Sequence, residues 1–147
     1  MTFRFPLGAL LATALALPAF AQQGVPGAHF LENWDLNEDG QVTVAEATQK
    51  RGDIFYMFDQ DENSALDAAE YDLFDETRIA DMEANAGGHN GQMRGVSQAM
   101  ARDFNDVDGD GLVTLEEFLS QVPNWFSLMD RDGDNVLTTN DFGRQKG

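Results

Sequence analysis

Cysteine is absent from the 147 residues, so no disulfide braces the chain and its fold must rest on a core or on a bound ligand. The same absence removes a thiol nucleophile and a lipid anchor point behind any leader. Basic residues are scarce, 9 Lys+Arg against 26 Asp+Glu, giving a net charge of −17. A chain so charged cannot neutralise a run of phosphates, which excludes nucleic acid as a partner. Histidine is limited to His29 and His89, with no matching pair for zinc or acid–base work, and no glycine-rich phosphate loop precedes a strand. An enzyme is therefore not expected. Long apolar runs are missing too: the stretch from Leu7 to Leu17 spans 11 residues, where a membrane helix needs about 20. Aromatic residues are not scarce. Eleven Phe, 2 Trp and 2 Tyr exceed what a solvated acidic tail would use, so part of the chain is expected to be buried.

The amino end, "MTFRFPLGALLATALALPAFAQQG", has one early charge at Arg4, the apolar stretch, then Pro18 and the small-residue pattern Ala19-Phe20-Ala21. This is the layout of a cleavable export signal over residues 1–21, with Gln22 as the mature amino terminus. Loss of Arg4 with the leader takes the net charge from −17 to −18. The expected location is the periplasm or the medium of a bacterium, with no membrane span after cleavage.

What the chain has in abundance is clustered carboxylate. "DVDGDGLVTLEE" (106–117) gathers five acidic side chains with no basic one. Two carboxylates about 4 Å apart repel by roughly 4 kcal/mol at an effective dielectric near 20. An acidic run alone reads as solvated chain, so the spacing has to decide. Three relatives decide it: "DLNEDGQVTVAE" (35–46), "DQDENSALDAAE" (59–70) and "DRDGDNVLTTND" (130–141). In all four an oxygen-bearing side chain stands at positions 1, 3, 5, 9 and 12, and position 8 is aliphatic: Val42, Leu66, Val113, Leu137. The first and third match D-x-[DN]-x-[DN]-G-x5-E throughout. Ca2+ takes six to eight oxygens at about 2.3–2.6 Å, which a tight loop supplies from positions 1, 3 and 5, the carbonyl of position 7, and a carboxylate at 12. Position 6 needs a backbone angle that glycine tolerates best, met by Gly40 and Gly111.

On these residues the chain resembles the EF-hand superfamily and its four-loop members, over about residues 27 to 143. The resemblance implies an all-α EF-hand fold: two pairs of helix–loop–helix units with short two-stranded contacts between paired loops at position 8. It also implies the metal ligands. These are Asp35, Asn37, Asp39, Gln41 and Glu46 in loop 1, and Asp59, Asp61, Asn63, Ala65 and Glu70 in loop 2. Loop 3 supplies Asp106, Asp108, Asp110, Leu112 and Glu117, and loop 4 supplies Asp130, Asp132, Asp134, Val136 and Asp141. Position 7 serves through its carbonyl, and Thr114 stands at position 9 of loop 3. Apolar side chains five, four and one residues ahead of position 1 share a helical face: Phe30, Leu31, Trp34; Ile54, Phe55, Phe58; Trp125, Phe126, Met129. They read as core. Loop 3 departs, with Ala101, Arg102 and Asn105 in that column, so its entering helix is expected either to be rotated or to end a residue early.

A shift of 71 residues overlays the sequence on itself, Asp35 on Asp106 and Asp59 on Asp130. The expected organisation is one pair over 22–84 (loops 1 and 2), a flexible linker at 85–92 containing "NAGGHNG", and a second pair over 93–147 (loops 3 and 4). Only 12 residues, 47–58 and 118–129, separate the loops within each half. A single helix there would hold the loops about 18 Å apart and forbid their pairing. Gly52 and Pro123 sit midway in the two connectors, so each is expected to bend into two short helices; the rival is one kinked helix.

The loops are unequal. Loop 3 should bind best. Ser64 replaces the turn glycine of loop 2 at a cost of roughly 1 kcal/mol, while Asn135 in loop 4 tolerates the angle better. Asp141 is one methylene shorter than Glu, which favours six-coordinate Mg2+ at that loop. Six residues follow Asp141, so the last helix is expected to be truncated. The function expected is an exported Ca2+-binding protein, the ion serving the fold or a buffered store. The alternative is a calcium-dependent adaptor that offers an apolar groove to an exported or envelope protein. Near-millimolar Ca2+ outside the cytoplasm would keep such sites filled, which favours the structural role; Met57, Met82, Met93, Met100 and Met129 are too scattered to decide.

Overall fold

The computed structural model describes residues 24–85 and 96–143. The expected leader and residues 86–92 of the expected linker lie outside them. Among the described residues the elements follow in order: α1 (Ala28–Trp34), β1 (Val42–Thr43), α2 (Val44–Phe58), β2 (Ala65–Leu66), α3 (Ala68–Asn85), α4 (Arg102–Asn105), β3 (Val113–Thr114), α5 (Leu115–Ser120), α6 (Val122–Ser127), β4 (Val136–Leu137) and α7 (Thr139–Phe142), with a further helical stretch at 96–98. Among the described residues no helix is long and apolar enough to cross a membrane.

Each acidic loop interrupts a helix pair in the same way. Asp35, Asp59 and Asp106 are the C-caps of α1, α2 and α4, and the chain regains helix two residues after the aliphatic position 8. Thr43 caps α2 and Thr114 caps α5, each accepting from the backbone N–H of the glutamate three residues on, and that glutamate reaches back to the cap N–H.

The pairing of the loops is not the one expected. β1 pairs antiparallel with β4, Val42 opposite Leu137, and β2 pairs with β3, Leu66 opposite Val113. Loop 1 thus joins loop 4 and loop 2 joins loop 3, across the two halves and not within them. The reason lies in α2, a single unbroken helix of 15 residues. Gly52 lies in its interior and does not end it. At 1.5 Å per residue α2 spans about 22 Å, so loops 1 and 2 stand at opposite ends and each finds its partner elsewhere. The second connector breaks where it was expected to: α5 ends at Ser120 and α6 begins at Val122, with Pro123 in its first turn, where a missing N–H costs nothing. α2 runs from the 1/4 end to the 2/3 end, and α5–α6 returns. Two connectors of equal length let both ends close together.

The core is shared accordingly. Phe30 and Trp34 of α1 stack against each other at 5.3 Å, Trp34 lies 4.7 Å from Trp125 of α6, and Phe30 lies 5.2 Å from Phe142 of α7. At the other end Phe58 and Tyr71 meet Phe74 at 5.3 Å, and Phe74 and Phe55 meet Phe118 at 5.9 and 5.8 Å. The apolar side chains expected as core are buried or packed against it. Along α2, Ala47, Arg51, Phe55 and Phe58 form one buried stripe, and its second member is charged.

The doubt over the helix entering loop 3 resolves differently from either expectation. α4 ends at Asn105 with Asp106 as its cap, the register of α1 and α2; α6, ahead of loop 4, ends earlier, at Ser127 with Leu128 as its cap. The helix is short at its start, and Asn105 is fully buried in the column that holds Trp34, Phe58 and Met129. α7 is four residues long, and residues beyond Gly143 lie outside the described ones.

Gly52 has open space where a Cβ would go and helical backbone. Gly52→Ala should therefore stabilise the chain by about 0.5–1 kcal/mol, read as a higher thermal midpoint; a loss of stability would show that a bend at Gly52 is required.

Candidate metal sites

One wiring diagram recurs in the loops, and backbone amides draw it. Position 1 accepts from the amides of positions 5 and 6: Asp35 from Asp39 and Gly40 (3.2 and 2.8 Å), Asp59 from Asn63 and Ser64 (3.0 and 2.9 Å), Asp106 from Asp110 and Gly111 (3.1 and 3.0 Å). In loop 4 Asp130 accepts from Gly133 and Asn135 (2.8 and 3.0 Å). Position 3 (Asn37, Asp61, Asp108, Asp132) accepts from the amide of position 5. Position 5 (Asp39, Asn63, Asp110, Asp134) accepts from the amide of position 7, that of Gln41, Ala65, Leu112 or Val136. These short-range bonds turn the side-chain oxygens inward.

Position 12 closes the ring. One carboxylate oxygen of Glu46, Glu70 and Glu117 accepts from the amides of positions 2 and 3, and the other accepts from the amide of position 9. Asp141 takes the amides of Arg131 (3.0 Å) and Thr138 (2.8 Å), but the Thr138 hydroxyl stands off at 3.4 Å where its counterparts Thr43 and Thr114 lie at 2.8 Å. The shorter side chain reaches less far.

The outcome is a convergence of charge. Ligand-capable oxygens of Asp59, Asp61 and Glu70 lie within 4.8 Å of one another, as do those of Asp106, Asp108 and Glu117, and those of Asp130, Asp132 and Asp141. These are positions 1, 3 and 12 each time. Loop 1 carries an amide, Asn37, at position 3, so its positions 1, 3 and 12 supply two carboxylates and not three. The position 5 side chains are exposed and stand outside the trios. Among the described residues the ion pairs are His29–Asp81 and Arg78–Asp75; neither reaches the loop 2 or loop 3 trio. Arg131, inside loop 4, donates to the Gly143 carbonyl at 2.6 Å.

Ionisation follows the wiring. The Thr43 amide, opposed in part by desolvation and helped by the Thr43 hydroxyl and the Asn37 and Leu36 amides, holds Glu46 below the ordinary glutamate value. For Glu117 desolvation is the largest effect and pushes upward, but the Thr114 amide and hydroxyl with the Asp108 and Val107 amides outweigh it. Asp132 moves the other way. Desolvation and the neighbouring Asp134, Asp141 and Asp130 charges raise it, against the Asp134 amide. A crowded carboxylate that resists ionisation marks a site short of positive charge.

A second backbone demand was missed by the sequence reading. Position 6 has positive φ in every loop (Gly40, Ser64, Gly111, Asn135), and so does position 4 (Glu38, Glu62, Gly109, Gly133). Glycine at position 4 of loops 3 and 4 was the available signal. Loop 2 fills neither position with glycine, so it carries the most backbone strain. The role of position 9 as a helix cap was missed too; with position 12 it forms the capping box already described.

A family model described as EF hand matches residues 104–122, which take in all of loop 3, its entering residues and α5. The match supports an EF-hand relationship and calcium binding for that stretch. No curated protein matches the chain.

Ser64→Gly should stabilise the folded chain by about 0.5–1 kcal/mol, and Asn135→Gly by less, because Asn accepts positive φ more readily; thermal denaturation of the two variants checks the order. Because folding lowers the pKa of Glu46 and Glu117, their contribution is complete above the ordinary value of 4.5 and is lost as pH falls through the lowered values. The metal-free chain should therefore lose thermal stability on acidification below that value, and Glu46→Gln/Glu117→Gln should flatten that limb of the profile.

Proposed function

We propose that this chain is an exported calcium-binding protein in which all four loops take Ca2+ and the ion chiefly holds the fold together. The observation that carries the reading is the meeting of three carboxylates within 4.8 Å in loops 2, 3 and 4. The donors are hard oxygens, and the chemistry of that set fits Ca2+. Positions 1, 3, 5 and 12 would hold the ion with the carbonyl of position 7: Asp35, Asn37, Asp39, Gln41 and Glu46 in loop 1, and the corresponding residues in the other three. Ca2+ supplies the positive charge that the amides only approximate. Loop 4 is the weakest, since Asp141 reaches less far, and it is the place where Mg2+ competes. Export rests on the leader pattern of residues 1–21.

The structural role is favoured over the adaptor because the apolar faces are turned on each other. Aromatic side chains of both halves occupy one core, Tyr56 apart, and the crossed strand pairs lock that arrangement. An adaptor would need those faces for its partner.

Calorimetric titration of the dialysed full chain with Ca2+ tests the proposal. Binding constants in the range of extracellular modules, about 10⁻⁴–10⁻³ M, are expected. At 1 mM ion, a site of 10⁻⁴ M contributes about 1.4 kcal/mol of stability, seen as a raised thermal midpoint that chelator reverses. Absence of both heat and stabilisation overturns it, and uptake of an apolar dye on adding Ca2+ would favour the adaptor.

A further inference from the structure

In this strongly acidic chain the most deeply buried cation, Arg51, is fully enclosed and has no carboxylate partner among the described residues. Burial holds it down to about 10, so it stays charged at neutral pH. Its Nη2 donates to the Asn105 side-chain oxygen at 2.7 Å and to the Phe118 carbonyl at 2.8 Å, and its Nη1 to the Met100 sulfur at 2.8 Å. The guanidinium lies 4.0 Å from the Phe118 ring centre and 5.3 Å from that of Trp125. Asn105 is itself fixed, donating to the Tyr71 hydroxyl (3.1 Å) and to the Ala99 and Ala101 carbonyls (3.3 and 2.9 Å), while Tyr71 donates to the Met100 carbonyl at 2.6 Å.

The two oxygens that Arg51 reaches share a property. Asn105 immediately precedes Asp106, position 1 of loop 3, and Phe118 immediately follows Glu117, position 12. One guanidinium on α2 therefore ties both ends of loop 3 to a helix that belongs to loops 1 and 2. The Phe118 carbonyl lies in the last turn of α5, where the break before α6 leaves carbonyls without helical donors and where a cation is favoured.

We propose that Arg51 is a positioning residue for the third metal site: its two bonds set the separation of the helix ends that carry Asp106 and Glu117, and so make the affinity of loop 3 depend on α2. The inference rests on the calcium reading above. It assigns Asn105 a task that accounts for its place in an otherwise apolar column.

Gly40 and Gly111 donate their amides to Asp35 and Asp106 at 2.8 and 3.0 Å, so their NMR amide signals report separately on loops 1 and 3 while Ca2+ is titrated into the full chain. Arg51→Lys keeps the charge but ends one bond short of Nη2, the nitrogen that reaches both oxygens, and offers nothing in place of Nη1. It should weaken loop 3 by roughly three- to tenfold and loop 1 by less than about twofold, as loss of one charge-assisted bond predicts. The double variant Arg51→Met/Asn105→Met removes the pair together but leaves the Phe118, Ala99 and Ala101 carbonyls without these donors, so its thermal midpoint should fall while loop 3 becomes about tenfold weaker relative to loop 1. An unchanged ratio of loop 3 to loop 1 affinity in either variant overturns the inference. A parent chain whose glycine signals ignore Ca2+ overturns the calcium reading, and this inference with it.

Discussion

Repulsion between carboxylates is the constraint around which the molecule is arranged. Each loop presses acidic oxygens together, and each answers with amide N–H groups two to five residues away, joined at position 12 by amides nine or ten residues back. The amides are fixed partial charges and hold the geometry without cancelling the field. The pKa directions follow the local surroundings: Glu46 and Glu117, rich in amide donors, ionise more readily, whereas Asp132, through desolvation first and like charges after it, ionises less readily. A divalent cation in the loops, as proposed, would complete what the backbone begins.

The loops were legible in the sequence because their determinants are local. A side chain that bonds an amide two to five residues away leaves its mark as spacing, and positions 1, 3 and 12 of loops 2, 3 and 4 come together, while the position 5 side chains stand outside. Partner choice was not local. Val42 can pair with any other aliphatic position 8, and pairing with the neighbour in sequence was the natural expectation. What decides it is whether a connector is rigid, and Gly52 read as a helix end when tertiary packing keeps it helical. A glycine in a helix costs only about 1 kcal/mol, which the buried stripe of Ala47, Arg51, Phe55 and Phe58 readily offsets.

Asn105 shows where such a reading can be sharpened. In the column ahead of position 1 it stands where Trp34, Phe58 and Met129 stand in the other units. A polar residue at a core position asks for a buried partner, and Arg51 supplies it. Buried polar pairs of this kind do not add stability over apolar packing as a rule, but they punish alternatives in which one member is left alone. Here the alternative excluded is any packing of the two halves that separates α2 from the start of loop 3.

Crossed pairing also bears on how the chain acquires its shape. The partner of Val42 is Leu137 and the partner of Leu66 is Val113, so neither strand pair can close until its partner in the second half is available, and β1–β4 closes last. During synthesis the first half emerges with its acidic turns formed at most locally and its aromatic side chains uncovered. Contacts of such long range slow folding and lengthen exposure to aggregation. The heavy negative charge then acquires a second use, keeping unfinished molecules apart until their final residues arrive.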